Sequence, residues 1–390
     1  MRLMFDCCKW DIQSEDHSVA ADFPLFLDQE EWDRLASLAG KLAQEALQAE
    51  RELICRSDLF AILGLPQSIV KVLKKCTPAR IPIGHARVMR FDFHPTPAGW
   101  QISEVNADVP GGFIEASGFT QLMAGYLPGH SMPRDPVSAY LDAITAAAEE
   151  SRAIALVHAT AHYDDRQVME FLGRELQRRG VQAIPVSPNH LRSESGFAKI
   201  KSSFASVEPA LLIRFFPAEW LPNLRPASTW KFWFCGGKTP MSNPGSAILI
   251  QSKRFPLAWP ELKTALPTWQ ALLPETECPS TVDIDSQEWV LKPVFGRVGE
   301  DVAIANVTEP RAYQEILKDA RRHPMNWVAQ KRFASVPIET HFGNRYPCLG
   351  VFTVNEKAVG IYGRIASKPL IDHEAQDIAI LVQSKGAVVR

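Results

Sequence analysis

The sequence predicts an α/β fold of the α+β kind, in which a parallel-type sheet is followed by a separate antiparallel lobe. Residues 153–158 (AIALVH) and 181–186 (VQAIPV) are short apolar runs on either side of an amphipathic stretch. Strand, helix and strand at this spacing are typical of a parallel βαβ unit. From about residue 246, strand-like segments follow one another with few helical patterns, which indicates antiparallel pairing and a separate lobe.

The N-terminal part of the chain is predicted to be helical over residues 30–75. Its apolar side chains recur at helical spacing, at Trp32, Leu35, Leu38, Leu42, Ala46 and Leu47. Gly64 and Pro66 then supply a helix stop. The composition shifts predict three regions, at 1–80, 81–245 and 246–390.

A β-hairpin is predicted next, with strands at 87–93 and 99–105 joined by the turn HPTPAG. Another strand is expected at 210–216, followed by a long connection at 217–245 that is rich in Pro, Gly, Ser and Trp. The last region is expected to hold a helix at 252–273 and strands near 288–294, 302–306, 327–334, 348–354 and 357–364.

The composition argues against nucleic acid and membranes as partners. Lys and Arg total 42 and Asp and Glu total 44, a formal charge of -2 that offers no general field for a polyanion. No stretch approaches the ~20 apolar residues that cross a bilayer, and Asp6, Lys9 and Asp11 interrupt the N-terminal apolar run. The seven cysteines include no C-x-x-C pair, which disfavours a disulfide framework or a zinc site. We therefore expect a cytoplasmic protein in a reducing compartment.

The predicted hairpin carries the first candidate site. Alternation places Arg90 and Asp92 on one strand face, and Glu104 and Asn106 on the corresponding face of the next strand. Two carboxylates and an amide oxygen form an all-oxygen set that suits Mg²⁺. Arg90 beside them can hold a phosphate. A solvated hairpin face with a cross-strand salt bridge is the alternative.

Two lysines carry the second candidate site. Lys292 ends an apolar strand and precedes a loop with Gly296 and Gly299, while Lys253 lies in the segment QSKRF. An exposed lysine at a strand end can reach nucleotide phosphates, and a glycine-bearing loop can bring backbone N–H groups close to them. The loop matches neither G-x-x-x-x-G-K-[ST] nor G-x-G-x-x-G. An ordinary turn after a strand is the alternative.

Two further candidates lie nearer the C-terminus. The apolar strand at 327–337, which includes Gln330, can present backbone groups to an adenine edge. The alternative interpretation is that this segment is only an edge strand of the second lobe. Arg364 ends the segment VGIYGRIAS, where a cation can neutralise charge on a transferred phosphoryl group. Its alternative is a surface arginine at a strand end.

Taken in order along the chain, these segments resemble glutathionylspermidine synthase and its relatives in the ATP-grasp superfamily. The resemblance rests on R-x-D followed by E-x-N-A-D, on Phe-Pro-Ala-Glu-Trp, on Ser-Lys, on Lys-Pro, on Gly-Arg-x-Gly and on the last two strands. The matching residues are Arg90, Asp92, Glu104 to Asp108, Phe216 to Trp220, Ser252, Lys253, Lys292, Pro293, Gly296, Arg297, Gly299, Gln330 to Pro337 and Gly360 to Arg364.

The resemblance implies a pre-ATP-grasp and substrate domain at 81–245 and a two-lobed ATP-grasp fold at 246–390, without the amidase domain of some relatives. It implies a Mg²⁺- and ATP-dependent ligase that joins a carboxylate to an amine through an acyl phosphate. Arg90 and Arg364 would act on the transferred phosphoryl group. Mg²⁺ would be held by Asp92, Glu104 and Asn106, and ATP by Arg90, Lys253, Lys292, Gly296, Gly299 and Gln330.

The chain departs from the family pattern in several places. Val109 replaces a small hydroxyl residue near the thiol substrate, and Ile365 replaces an acidic residue after the arginine. Leu370 to Asp372 replace a Pro-His pair. The resemblance supports ATP binding more strongly than it supports glutathione or a polyamine as a substrate. Asp164 and Asp165 would correspond to the carboxylates with which relatives attract the polyamine. A non-catalytic ATP- and metal-binding protein on the same fold is the alternative.

Overall fold

The computed structural model describes residues 2–14, 17–81, 85–148, 153–201, 206–225, 228–296 and 299–383. Their α-helices are α1 Arg2–Cys7, α2 Gln29–Cys55, α3 Gln67–Leu73, α4 Thr120–Ala124, α5 Pro136–Ala147, α6 Tyr163–Arg178, α7 Phe232–Cys235, α8 Ile248–Gln251, α9 Pro267–Leu272 and α10 Pro310–Arg322. The strands are β1 Gln13–Ser14, β2 His17–Ser18, β3 Leu25–Leu27, β4 Val88–Thr96, β5 Gly99–Asn106, β6 His130–Ser131, β7 Ile154–His158, β8 Ala183–Val186, β9 Leu191–Glu194, β10 Phe197–Lys201, β11 Ser206–Val207, β12 Leu211–Phe215, β13 Met241–Ser242, β14 Thr276–Glu277, β15 Trp289–Pro293, β16 Ala303–Ile304, β17 Trp327–Lys331, β18 Ile338–Thr340, β19 Gly343–Val354, β20 Lys357–Ala366, β21 Gln376–Ile378 and β22 Ile380–Gln383.

Helix α2 is the long helix that the N-terminal apolar spacing predicts. Asp28 caps it by accepting a hydrogen bond from the backbone N–H of Glu31, an interaction that contributes about 1 kcal/mol. Its buried face packs against β19 and β20. The helix ends at Cys55, so the predicted helical region 30–75 holds α2 and α3 with a break between them. No helix of the described residues, α2 included, is long and apolar enough to span a membrane.

The parallel sheet has the order β13-β12-β7-β8, and all its pairs are parallel. Helix α6 joins β7 to β8 and packs against both, so the predicted βαβ unit is confirmed. The predicted connection at 217–245 is wrong in part, because it contains α7 and β13. A strand of 2 residues is too short to show a periodic pattern.

The largest sheet is antiparallel, with the order β21-β20-β19-β4-β5 and with β18 beside β19. The hairpin β4-β5 confirms the predicted one. Its strand β4 pairs with β19, although β19 was expected in a separate lobe. The sheet therefore draws strands from both sides of the predicted boundary at 245/246, and the domain boundaries stay predictions.

The second antiparallel sheet has the order β14-β17-β15-β16. It confirms the strands predicted near 288–294, 302–306 and 327–334. Helix α10 packs on β15 and β16 and was not predicted. Ile316, Leu317 and Ala320 form its buried face, so the helix is amphipathic and its spacing was a signal that the sequence prediction missed.

The predicted helix at 252–273 is wrong. The structure has a 3₁₀ helix, Phe255–Glu261, then a break and the short helix α9. Pro256 and Pro260 lie in the 3₁₀ helix, and Pro267 begins α9. Proline has no N–H to donate and clashes with the preceding turn, so a continuous α-helix cannot form across these positions.

One disulfide joins Cys76 to Cys235, although the cysteine spacing disfavoured a disulfide framework. Helix α3 packs against α7, and this brings the two Cα atoms to 5.2 Å, within the range that a disulfide spans. The spacing of the cysteines along the chain carries no sign of this tertiary contact.

Candidate active site

A cleft of about 1360 Å³ is lined by residues of both antiparallel sheets. Lys292 on β15 donates a hydrogen bond from Nζ to the carbonyl oxygen of Ser103 on β5, at 3.1 Å. The prediction that the hairpin and the Lys292 strand face one cleft is therefore confirmed. Every residue assigned to a site from the sequence lines this cleft: Arg90, Asp92, Glu104, Asn106, Lys253, Lys292, Gly296, Gly299, Gln330 and Arg364. Their roles stay predictions.

The hairpin register brings the first candidate site together as predicted. Arg90 lies opposite Asn106, and Asp92 lies opposite Glu104. The Arg90 guanidinium donates from Nε and Nη2 to the two oxygens of Asp92, at 2.7 and 2.8 Å. Asn106 Nδ2 donates to Asp92 Oδ2 at 3.2 Å. Burial lowers the pKa of Arg90, but the Asp92 carboxylate outweighs it and raises that pKa above its ordinary value.

Two residues that hold Arg90 were missed from the sequence. The guanidinium lies over the ring of Tyr362, 5.0 Å from its centroid. A Cβ atom at Gly350, on the neighbouring strand, would lie 2.7 Å from Arg90 Cδ. The sequence held a signal for Tyr362, because it lies two positions before Arg364 on one strand and must share its face.

Glu104 is ion-paired with Lys253, whose Nζ lies 3.0 Å from Glu104 Oε2. The same Nζ donates to the carbonyl oxygen of Gly296 at 2.8 Å. Burial alone would raise the pKa of Glu104, but Lys253 and Lys292 lower it to about 2. Glu104 is therefore ionised at every physiological pH, as a metal ligand must be.

Lys292 is buried, so the expectation of an exposed lysine is wrong. Its Nζ donates to Gln330 Oε1 at 2.6 Å, across the β15-β17 pair. Gln330 in turn donates from Nε2 to Thr276 Oγ1 at 3.2 Å. Burial lowers the pKa of Lys292 to about 8. The nearby His94 ring has its pKa lowered to about 3, by burial and then by Lys292, and is neutral.

Gly296 and Gly299 line the cleft. Gly299 has φ +69, and a Cβ atom there would lie 2.2 Å from the carbonyl oxygen of Ile371. A side chain is therefore excluded at this position both by conformation and by space. Arg297, which belongs to the motif that carries the family resemblance, lies outside the described residues.

Arg364 lies at the opposite side of Arg90 from the lysines. Its Nη2 donates to the carbonyl oxygen of Asp372 at 2.6 Å. Its Nε is buried and, in the part of the chain that the structure describes, has no hydrogen-bond partner. The nearest carboxylate oxygen is Asp377 Oδ1, at 4.0 Å. This donor can serve a bound anion.

The predicted metal ligands fit a hard cation in chemistry but not as a complete shell. Asp92 and Glu104 are cross-strand neighbours that offer carboxylate oxygens, and Asn106 adds an amide. The described residues contain no group of three or more His, Cys, Asp or Glu side chains placed to hold a metal. Both carboxylates are ion-paired with cations. A bound Mg²⁺ would therefore need oxygens from a ligand, and phosphate oxygens are its usual partners.

Part of the cleft lining is acidic. Asp164 and Asp165 lie in the first turn of α6 and line the cleft with Glu115 and Asp11. Trp220, whose exposed fraction is 43%, also lines the cleft. The lining thus combines lysines and arginines with carboxylates and an aromatic ring. Carboxylates in the lining favour a bound cation.

Comparison with known proteins shows the family and the fold of this chain. The family model described as "Glutathionylspermidine synthase preATP-grasp" matches residues 7–383. A glutathione synthetase-like effector from Globodera pallida, in its apo form, superposes with a TM-score of 0.62 at 10% identity, over 93% of this chain and 89% of that chain. This likeness concerns the fold, and it confirms the predicted ATP-grasp type of α/β architecture.

A second solved structure is less similar. D-alanyl-alanine synthetase A from Vibrio cholerae O1 biovar eltor str. N16961 has a TM-score of 0.34 at 10% identity, over 60% of this chain and 88% of that chain. The comparison with curated proteins found no match.

Proposed function

We propose that this chain, which belongs to the glutathionylspermidine synthase pre-ATP-grasp family, is a Mg²⁺- and ATP-dependent ligase that joins a carboxylate to an amine. One observation carries the proposal: the predicted cations and the predicted carboxylates converge in a single cleft. Converging arginine and lysine side chains suit a triphosphate. Paired carboxylates beside them suit the metal that accompanies it.

Lys253 and Lys292 mark the part of the cleft that is proposed to hold the nucleotide. Lys253 and Lys292 would bind its phosphates, and the loop from Gly296 to Gly299 would cover them. Gln330 would lie beside the adenine, on a strand whose backbone can pair with the base edge. The bonds from Lys292 to Gln330 and Ser103 support this role, because they hold the ammonium in place before ATP arrives.

The hairpin is proposed to hold Mg²⁺ through Asp92, Glu104 and Asn106. When bound, the metal would polarise the phosphate oxygens and offset the charge that builds on the transferring group. Glu104 would turn from Lys253 toward the metal, which releases that lysine for a phosphate. Arg90 would keep Asp92 oriented through its two hydrogen bonds.

The proposed reaction has two steps. The substrate carboxylate attacks the γ-phosphorus of ATP, giving an acyl phosphate and ADP. The amine then attacks the acyl carbon, phosphate leaves with the carbonyl electrons restored, and the amine loses a proton. Arg364, whose Nε has no hydrogen-bond partner among the described residues, and Arg90 would stabilise the negative charge on the phosphoryl oxygens.

The acidic lining of the cleft is proposed to hold the amine. Asp164 and Asp165 would attract a cation. An amine with more than one positive charge, such as a polyamine, suits this lining best. The acid would be a small molecule or a short peptide that reaches from Arg364 toward the hairpin.

The test is a screen of ADP release against panels of short peptides, amino acids and polyamines. The proposal predicts ADP and phosphate as products, and hydroxylamine should trap the acyl phosphate as a hydroxamate once the right acid is present. AMP and pyrophosphate as products would contradict the acyl-phosphate route. Tight ATP binding without turnover on any panel would favour the non-catalytic alternative.

A further inference from the structure

The N-terminal segment places a lysine in the cleft that neither the motifs nor the proposed function uses. Lys9 Nζ lies 2.7 Å from Glu115 Oε1, 3.3 Å from Asp377 Oδ2 and 3.5 Å from Asp11 Oδ1. The exposed fraction of the Lys9 side chain is 9%, and all these residues line the cleft. Burial lowers the pKa of Lys9, but Glu115 and Asp377 outweigh it and raise that pKa above its ordinary value. Lys9 is thus a permanent cation.

The backbone is unusual at both ends of the Lys9–Glu115 ion pair. Cys8 has φ 60, in the left-handed region that residues other than glycine rarely adopt. Glu115 lies on a π-helix of 6 residues, Ile114–Phe119, a rare form that is frequent at functional sites. The strain at Cys8 persists only where the surroundings over-determine it. The segments around Cys8 and Glu115 deliver Lys9 and Glu115 to the cleft.

The two segments also pack closely. A Cβ atom at Gly118, within the π-helix, would lie 2.7 Å from the Cys7 sulfur. The backbone N–H of Trp10 donates to Gln167 Oε1 on α6 at 2.9 Å. The backbone is therefore anchored on both sides of Lys9, at Cys7 and at Trp10, and this fixes the Lys9 ammonium in the cleft wall.

Asp377 connects Lys9 to the proposed phosphoryl-binding arginine. Its Oδ1 accepts a hydrogen bond from the Tyr362 hydroxyl at 2.7 Å, and its Oδ2 faces Lys9. Arg364 Nε remains 4.0 Å from Oδ1, beyond hydrogen-bond distance. Lys9 and Arg364 thus flank one carboxylate, Lys9 at Oδ2 and Arg364 at Oδ1. Without the Lys9 charge, the nearest cation for Asp377 is the Arg364 guanidinium.

We propose that Lys9 is a positioning residue of the ligase site, which holds Asp377 and Glu115 and so keeps the Arg364 guanidinium available for the transferring phosphoryl group. This inference rests on the role of Arg364 in the proposed function. It extends the site to the N-terminal segment, far from the motifs that carry the family resemblance.

The probe is MgADP with tetrafluoroaluminate, a mimic of the transferring phosphoryl group, titrated beside MgADP alone. Lys9→Met should weaken binding of the mimic by roughly ten-fold, as expected for one lost charge-assisted hydrogen bond, and leave MgADP affinity unchanged. Lys9→Arg should keep full affinity because it keeps the charge. Lys41→Met, at an exposed position of α2, is the matched control and should change neither affinity.

The decisive variant is Lys9→Met combined with Asp377→Asn. Removing the carboxylate charge should release Arg364, so mimic affinity should return to within about three-fold of the original. A lysine that only supported the local packing would not be rescued in this way. If circular dichroism shows that Lys9→Met alone does not fold, the double variant Lys9→Met with Glu115→Gln takes its place. The double variant removes both charges of this ion pair and keeps the net charge of the cluster.

The outcomes separate this inference from the proposed function. Unchanged mimic affinity in Lys9→Met, or no rescue by Asp377→Asn, would overturn the inference while Arg364→Met still lost affinity. Unchanged affinity in Arg364→Met, or no binding by the unsubstituted chain, would overturn the proposed role of Arg364 and the inference with it.

Discussion

Lys292 Nζ and Gln330 Oε1 are 2.6 Å apart, on neighbouring antiparallel strands whose side chains face the cleft. The bond fixes the lysine in the place where a phosphate contact is proposed. Lys292→Met should weaken ATP binding by roughly 10- to 100-fold, because a hydrogen bond to a charged group contributes about 1.5–3 kcal/mol. Titration calorimetry with ATP measures this loss.

The control for Lys292→Met is Lys318→Met, at an exposed position of α10. It should leave ATP affinity unchanged. Methionine is similar in length to lysine and fills the buried space, so Lys292→Met should still fold. Equal ATP affinity in both variants would remove Lys292 from the nucleotide site.

ATP affinity should depend on pH through Lys292. Burial lowers the pKa of this lysine to about 8, so its charge is present below that pH and is lost as the pH rises through it. ATP affinity should therefore fall above pH 8, by up to ten-fold per pH unit. Lys292→Arg keeps its charge and should remove this dependence, and a fall that persists in that variant would assign the titration to another group.

Folding stability should respond to the same pKa with the opposite sign. The folded pKa lies below the ordinary value, so between about pH 8 and about pH 10.4 the unfolded chain binds a proton that the folded chain does not. The free energy of unfolding should therefore increase as pH rises across this window. Chemical denaturation at several pH values should show this increase in the original chain and not in Lys292→Met, which lacks the titrating group.

Glu104→Ala should remove most turnover while ATP still binds. The substitution deletes a proposed Mg²⁺ ligand, but Lys253 and Lys292 remain to hold the phosphates. Glu339→Ala, at an exposed position of β18, is the control and should turn over normally. Rates of ADP release and ATP affinity are measured on both proteins. Full activity in Glu104→Ala would leave the hairpin without a role in the chemistry.

Glutathione should be a poor substrate. Val109 lines the cleft and offers no hydroxyl where the family has one, and a missing polar partner in a closed site costs about 1–3 kcal/mol. Val109→Ser should raise glutathione-dependent ADP release by roughly 10-fold, and Val109→Ala, which lacks the hydroxyl, should not. Efficient use of glutathione by the original chain would show that this position does not select the acid.

Local patterns in the sequence were enough to predict the hairpin and the residues it carries. Alternation along β4 and β5 determines that Arg90 and Asp92 share a face, because successive side chains of a strand point to opposite sides. The βαβ unit was predictable for the same reason, from periods that extend over a few residues. The helix expected at 252–273 failed where prolines overrode an apolar pattern.

Only the tertiary structure decided which side chains meet. The bond from Lys292 to Ser103 joins residues 189 positions apart, and the disulfide joins Cys76 to a cysteine 159 positions away. Lys9 reaches Asp377 across almost the whole chain. Side-chain periodicity is a local property, whereas burial and ion pairing depend on how sheets pack, so the pKa of Lys292 and the place of Lys9 could not be predicted from the sequence.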